Sequence, residues 1–169
     1  VFTNVTIRKI TDEEIRRFDR IRRGIDFGYA VDPFAYVVMH YDKTRRRLYI
    51  FYEIYKVGLS NRKAAELIKK ENVLNGWIVA DSAEPKSIAE LKEYRLKVEG
   101  AKKGPDSVEY GIKFLQDLEE IIIDPERCPN AAREFLNYEL EKDKDGNFKA
   151  EFPDKNNHTI DAVRYALED

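Results

Sequence analysis

Apolar and polar positions along the chain fall into two regimes. Between Ile25 and Tyr55 the apolar residues alternate or run together at strand spacing. Beyond Ser60 they recur at helical spacing, interrupted by short apolar runs. Ile25–Ala30 places Ile25, Phe27 and Tyr29 on one side and Asp26 and Gly28 on the other, because successive strand residues point to opposite faces. Phe34–Tyr41 is almost continuously apolar and predicts a strand covered on both faces. Leu48–Tyr55 is rich in aromatic and β-branched residues, the usual strand formers. The joins Val31-Asp32-Pro33 and Asp42-Lys43-Thr44-Arg45 have turn chemistry. Connections this short link antiparallel neighbours, so the segment predicts a three-stranded meander.

After the meander, Ser60 caps a predicted helix with Ala64, Leu67 and Ile68 on one face. Trp77–Ala80 is a short strand ending at Asp81, and Pro85 suits the first turn of a helix carrying Ile88 and Leu91. Leu96–Val98 and Ile121–Ile123 read as further strands. Pro105 opens a helix striped by Val108, Ile112 and Leu115, with Gly111 permitting close packing. Asn130–Leu140 and Asn157–Leu167 read as helices, and Asp145-Gly146 marks a hairpin turn. Near the start, Thr11-Asp12-Glu13-Glu14 has the form of a capping box, followed by Ile15 and Phe18 at helical spacing. Residues 1–23 therefore read as a lead-in helix and 24–169 as the main domain.

A meander followed by alternating strands and helices predicts an α/β fold. Its sheet is mixed, an antiparallel meander plus parallel strands, with helices on both faces. Right-handed crossovers place the strand bearing Asp26 beside the strand ending at Asp81.

Composition narrows the classes further. The 169 residues, 43% hydrophobic and 12% aromatic, suffice for one domain with a full core. The charge balance is nearly even, 30 Lys and Arg against 32 Asp and Glu, so contact with nucleic acid would run through local patches. Cys128 is the single cysteine, which excludes an intrachain disulfide and a cysteine-built metal site. No run approaches the roughly 20 apolar residues of a membrane span. The first residues show neither an initiator Met nor a signal pattern, which suggests a domain of a longer polypeptide.

Three acids carry the chemistry. Asp26 interrupts an apolar strand, where an ionised carboxylate is costly unless paired or bound to a cation. Asp81 ends its strand at the carboxyl edge, where open sheets bind ligands. On the last helix, about 100° per residue puts His158, Asp161 and Tyr165 on one face and Ile160, Val163 and Leu167 on another. Small Ala162 and Ala166 let that helix approach the sheet. Three carboxylates on one spot repel unless a divalent cation joins them, and oxygen donors favour Mg²⁺ or Mn²⁺. Two such ions can activate a water and stabilise the leaving oxygen of a phosphodiester. His158 is then an outer ligand or proton shuttle. Each residue also has an ordinary reading: Asp26 as a satisfied strand-end acid, Asp81 as a helix cap, Asp161 and His158 as polar face residues.

At these residues the chain resembles the C-terminal nuclease domain of the large terminase subunit of tailed double-stranded DNA phages, in the RNase H-like superfamily. The matching blocks are Gly24–Tyr29 with Asp32-Pro33, Ile78–Pro85, Lys103–Ser107 with Gly111-Ile112, and Asn157–Tyr165. The resemblance implies an endonuclease that cuts concatemeric viral DNA during packaging in the host cell cytoplasm. It places Asp26, Asp81 and Asp161 on the family's metal-binding acids, and His158 on a position seen in some members. It also implies an ATPase domain in the same polypeptide, a small terminase subunit and a portal or procapsid as partners. No Gly-x-x-x-x-Gly-Lys-[Ser/Thr] loop occurs, so the motor lies outside this chain.

DNA contact is expected from Lys102 and Lys103, beside a helix N-terminus, and from Arg45, Arg46 and Arg47 at a hairpin turn. Lys142–Asn147 is a candidate hairpin limiting access to the site. Rival readings on the same fold are a resolvase- or transposase-type nuclease and a non-catalytic docking domain of the packaging motor. An actin-like phosphotransferase, suggested by Asp26-Phe27-Gly28, needs two lobes that this length does not supply.

Overall fold

The computed structural model describes residues 1–28, 30–102 and 104–168. Three antiparallel strands form the middle of one sheet: β2 (Ile21–Asp26), β3 (Pro33–Asp42) and β4 (Arg47–Val57). Parallel strands extend it at both sides. β5 (Ile78–Ala80) and β6 (Val98–Gly100) follow β2, while β7 (Glu120–Ile123) and β1 (Val5–Ile7) follow β4. Among the described residues seven strands lie in the order β1-β7-β4-β3-β2-β5-β6, the mixed sheet that the apolar pattern predicts.

Among the described residues there are six helices: α1 (Asp12–Arg17), α2 (Asn61–Glu71), α3 (Pro85–Glu93), α4 (Ser107–Gln116), α5 (Pro129–Asn137) and α6 (His158–Leu167). Their starts follow local chemistry. The Glu14 amide donates to Thr11 Oγ1 and the Thr11 amide donates to the Glu14 carboxylate, both at 3.1 Å, closing the capping box. Ser60 accepts the Lys63 amide at the head of α2, and Pro85 and Pro129 open α3 and α5.

The helices cover both faces. Val37, Met39, Leu48 and Ile50 pack against Ile112, Leu115, Phe135, Ile160 and Val163 of α4, α5 and α6. On the other face Ile25, Tyr36, Val38 and Ile78 pack against Ala64, Ile68, Ile88 and Leu91 of α2 and α3. β3 contributes alternate residues to both cores, so its continuous apolar run has a direct cause. Each fully buried Val, Leu, Ile, Phe or Met side chain among them contributes about 1.5–3 kcal/mol. No helix among the described residues is long and apolar enough to cross a membrane.

Several boundaries differ from the sequence reading. β2 spans Ile21–Asp26 rather than Ile25–Ala30. Its arginines hide the pattern: Arg23 is held by Glu71 of α2 at 3.2 Å, an ion pair the apolar periodicity cannot register. Gly28 is packed under the turn into β3, where an added Cβ would meet the Asp32 carbonyl oxygen at 2.5 Å. Tyr29, assigned to the same strand, lies outside the described residues. The lead-in holds more than a helix, since β1 pairs with β7 from Val5↔Ile121 to Ile7↔Ile123. β6 falls two residues later than Leu96–Val98. α4 starts at Ser107 and leaves Val108 exposed, because Asp106 takes a left-handed turn at φ 60° before it. α5 stops at Asn137, and Tyr138 leaves the helix to donate to the Pro153 carbonyl at 2.6 Å.

Candidate active site

Two of the three acids come together through strand pairing. Gly24 and Ile25 of β2 lie opposite Val79 and Ala80 of β5, and the Asp81 amide donates to the Ile25 carbonyl at 3.2 Å. Asp26 and Asp81 therefore end adjacent parallel strands on the same edge. Asp81 Oδ1 accepts the Ala83 amide at 2.9 Å, whereas the N-cap residue of α3 is Glu84. Asp81 thus shapes the turn after β5 rather than capping the helix.

α6 brings the third. Gly24 shares a face with Asp26, two residues on, and an added Cβ there would lie 1.8 Å from the Ala162 carbonyl oxygen. That missing side chain lets the α6 backbone rest on β2. His158 and Asp161 in the first turn then reach the strand ends, while Ile160, Val163 and Ala166 fill the core. Asp26, Asp81, Asp161, Asp32, His158 and Tyr165 line one open cleft of about 600 Å³. Segment 152–156, just after the Asp145-Gly146 hairpin, forms part of its wall.

The electrostatics are those of crowded, partly dried acids. Asp26 is 8% exposed, and burial raises its pKa against the opposing hydrogen bond from His158. His158 Nδ1 lies 3.2 Å from Asp26 Oδ2, and its Nε2 lies 3.9 Å from Asp32 Oδ1. The hydrogen bond to Asp26 raises the imidazole pKa, with burial opposing. Burial pushes Asp161 up to about 7, although Arg164 donates to it at 2.9 Å. Gly111 makes room for that arginine: a Cβ at 111 would come within 2.8 Å of Arg164 Cδ. Among the described residues no three His, Cys, Asp or Glu side chains are drawn together tightly enough to hold an ion as they stand. Instead His158 engages Asp26 and Arg164 engages Asp161.

Residues that the sequence reading missed hold α6 in place. The buried Glu134 of α5 accepts the Thr159 amide at 2.7 Å and the Thr159 hydroxyl, and the Tyr55 hydroxyl donates to its other oxygen at 2.9 Å. Glu53 of β4 caps α5 in turn, accepting the Asn130 and Ala131 amides at 3.2 and 2.9 Å. Burial raises the Glu53 pKa. A relay of carboxylates, half-buried Glu53 and buried Glu134, thus runs from β4 through α5 to the helix carrying Asp161. Its signal was available, since Glu134 sits between apolar Ala131 and Phe135 and Glu53 lies within an aromatic strand. Arg164 had a signal as well, its spacing three residues after Asp161.

The basic residues are dispersed. Arg45 pairs with Asp42 at 3.4 Å, Arg46 donates to the Asp117 carbonyl, and Arg47 pairs with Glu120 at 3.6 Å. Their hairpin lies beyond Asp42, while Asp26 pairs with Ala35, so the structure places them at the opposite end of the sheet from the cleft. Lys102 is exposed just after β6. Lys103 lies outside the described residues.

Comparison with known proteins bears on the same elements. Residues 26–169 match the terminase RNase H-like domain family. The large terminase subunit of Bacillus phage SPP1 is 48% identical over 171 residues, covering 99% of this chain and 40% of that protein. The PBSX phage terminase large subunit of Bacillus subtilis (strain 168) is 32% identical over 148 residues, covering 88% of this chain and 34% of that protein. The crystal structure of the SPP1 large terminase nuclease domain with bound Mn superposes with a TM-score of 0.93, covering 98% of this chain and 96% of that one. The chain spans well under half the length of these two large subunits. Its match over nearly the whole domain places it as a member of the terminase RNase H-like domain family.

Proposed function

We propose that this chain is the nuclease domain of a phage large terminase, a divalent-metal-dependent endonuclease that cuts concatemeric double-stranded viral DNA during packaging. The observation that carries the reading is the convergence of Asp26, Asp81 and Asp161 on one polar cleft, from two strand ends and the first turn of α6. The donor set fits the group. Carboxylate oxygens are hard donors suited to Mg²⁺ or Mn²⁺, and the SPP1 nuclease domain, 48% identical, is known with bound Mn.

In this reading Asp26, Asp81 and Asp161 would together hold two such ions. Bound there, the metal supplies an activated water and stabilises the leaving oxygen. The protein's own groups do the rest. His158 fixes the rotamer of Asp26 and sits between it and Asp32, where an imidazole can hold or pass a proton near neutral pH. Arg164 holds the Asp161 carboxylate toward the cleft. Strand and helix placement keeps the acids on rigid elements, which is what precise positioning of a reacting phosphate requires.

A net charge of −2 leaves DNA binding to local cations such as Lys102 and Lys103, and makes it sensitive to salt. The ATPase domain of the same polypeptide, a small terminase subunit and a portal or procapsid are the partners this role implies, in the host cell cytoplasm. The test is nicking of supercoiled plasmid with Mn²⁺. Asp26→Asn, Asp81→Asn and Asp161→Asn should each reduce the rate by about 10²-fold or more, the scale of one lost electrostatic contributor. Undiminished cleavage by a variant that melts like the parent would overturn the assignment of that acid.

A further inference from the structure

The sheet face beyond β2 carries a second surface that the cleft does not use. Trp77, the single tryptophan, is 58% exposed at the entrance to β5. Alternate strand residues share a face, so Trp77, Val79 and Asp81 all belong to the side on which α6 lies. Lys97 Nζ stands over the indole, 5.9 Å from the ring centre. Trp77, Val79, Arg22 and Lys102 line a groove of about 570 Å³ beside the second half of α6, with Glu99 and Glu168 also at its walls. Lys102 follows Gly100, which pairs with Ala80, so it stands at the Asp81 end of the groove while Trp77 stands at the other.

The indole is held there by a rigid loop. The Asn72 side chain accepts the Gly76 amide at 2.8 Å and donates to the Gly76 carbonyl at 2.9 Å. The Asn75 side chain donates to the Arg95 carbonyl at 3.1 Å and accepts the Lys97 amide at 3.4 Å. A large aromatic fixed in water, with a cation over its ring and another along the groove, matches the requirements of single-strand binding: a flat face for any base and charges for the backbone.

The geometry points to Trp77, Lys97 and Lys102 as a stacking platform for an unpaired DNA strand that leaves the Asp26–Asp81 cleft along β5. Asp81 lies four residue steps beyond Trp77, about 13 Å, which is the rise of about four stacked nucleotides. The platform would hold the strand locally opened on one side of the cut. The proposal rests on the nuclease reading of the cleft, yet its readout is separate from cleavage.

Because Trp77 is the single indole, its fluorescence reports this position alone. The 169-residue chain is titrated in EDTA with a 20-nucleotide oligo-dT and with a 20-base-pair duplex. Anisotropy of the same DNAs, dye-labelled, gives the affinity independently. The expected result is saturable, salt-sensitive quenching by oligo-dT that exceeds quenching by the duplex. Trp77→Ala should weaken oligo-dT binding by about ten-fold, the size of one lost base stack, and Trp77→Phe should restore most of it. Lys97→Gln and Lys102→Gln should each weaken binding and flatten its salt dependence. Plasmid cleavage by the unaltered chain with Mn²⁺ is followed in parallel. Cleavage with a silent indole, or unchanged affinity in Trp77→Ala, overturns the platform and leaves the nuclease reading standing. Quenching by oligo-dT without any cleavage supports the platform and counts against the nuclease. An indole that ignores both DNAs overturns the platform.

Discussion

Replacing Gly24 by Ala tests how the candidate site is assembled. The new Cβ would lie 1.8 Å from the Ala162 carbonyl oxygen, 2.8 Å from its carbonyl carbon and 3.0 Å from Ala166 Cβ. The nearest atoms are main chain, so no rotamer change relieves the clash. Restoring an ordinary carbon–oxygen contact requires α6 to rise by about 1.5 Å. Two effects follow. Overpacking under a helix that buries Ile160, Val163 and Ala166 costs about 1–3 kcal/mol. In a domain this size that lowers the melting temperature by roughly 3–10 °C. The same rise lifts His158 and Asp161 away from Asp26, and a misplacement of about 1 Å can cost about 10²-fold in rate. Thermal melting followed by circular dichroism, and plasmid nicking with Mn²⁺ well below the transition, measure the two separately. Gly104→Ala is the control, since nothing among the described residues lies within 4 Å of the Cβ it would add. Ala162→Gly should not rescue the variant, because the opposing atom is a backbone oxygen. A Gly24→Ala protein that melts within a degree of the parent and nicks at the same rate would refute this account of how α6 reaches the cleft.

Two further expectations concern groups away from the acids. Glu134→Gln removes the charge that receives the Thr159 amide and hydroxyl; urea unfolding should show a loss of about 1.5–3 kcal/mol, with slower nicking as α6 loosens, and an unchanged midpoint would contradict the capping role. Asp124 is buried, which acts to raise its pKa, but hydrogen bonds from the Ile10, Arg127 and Glu126 amides outweigh burial and hold it below the usual carboxylate value. A depressed folded pKa adds stability above the unfolded pKa of about 3.9, and that stability is lost as pH falls through the folded value. Asp124→Asn should therefore be less stable than the parent at neutral pH, with the gap in urea midpoint closing below about pH 4; a gap independent of pH would remove Asp124 from the acid response.

What the sequence alone determined was whatever depends on neighbours along the chain. Strand periodicity from Phe34 to Tyr55, the caps at Thr11 and Ser60, the prolines at 85 and 129 and the helical stripe of α6 act within a few residues, so the sequence displays them directly. The placement of Asp26 beside Asp81 was legible because strand handedness limits how two parallel strands can be joined. The tertiary structure decided everything set by contacts between distant segments. β1 is three residues long and becomes a strand only through pairing with β7. Arg23 of β2 gains its ion-pair partner only when Glu71 arrives from α2. Gly24 shows no purpose until the Ala162 carbonyl lies against it, and half-buried Glu53 and buried Glu134 are costly charges until a helix N-terminus meets each. Short-range propensity is written residue by residue, whereas the stability of a buried charge or a missing side chain depends on partners about 20 to 140 positions away, which only the folded chain brings within reach.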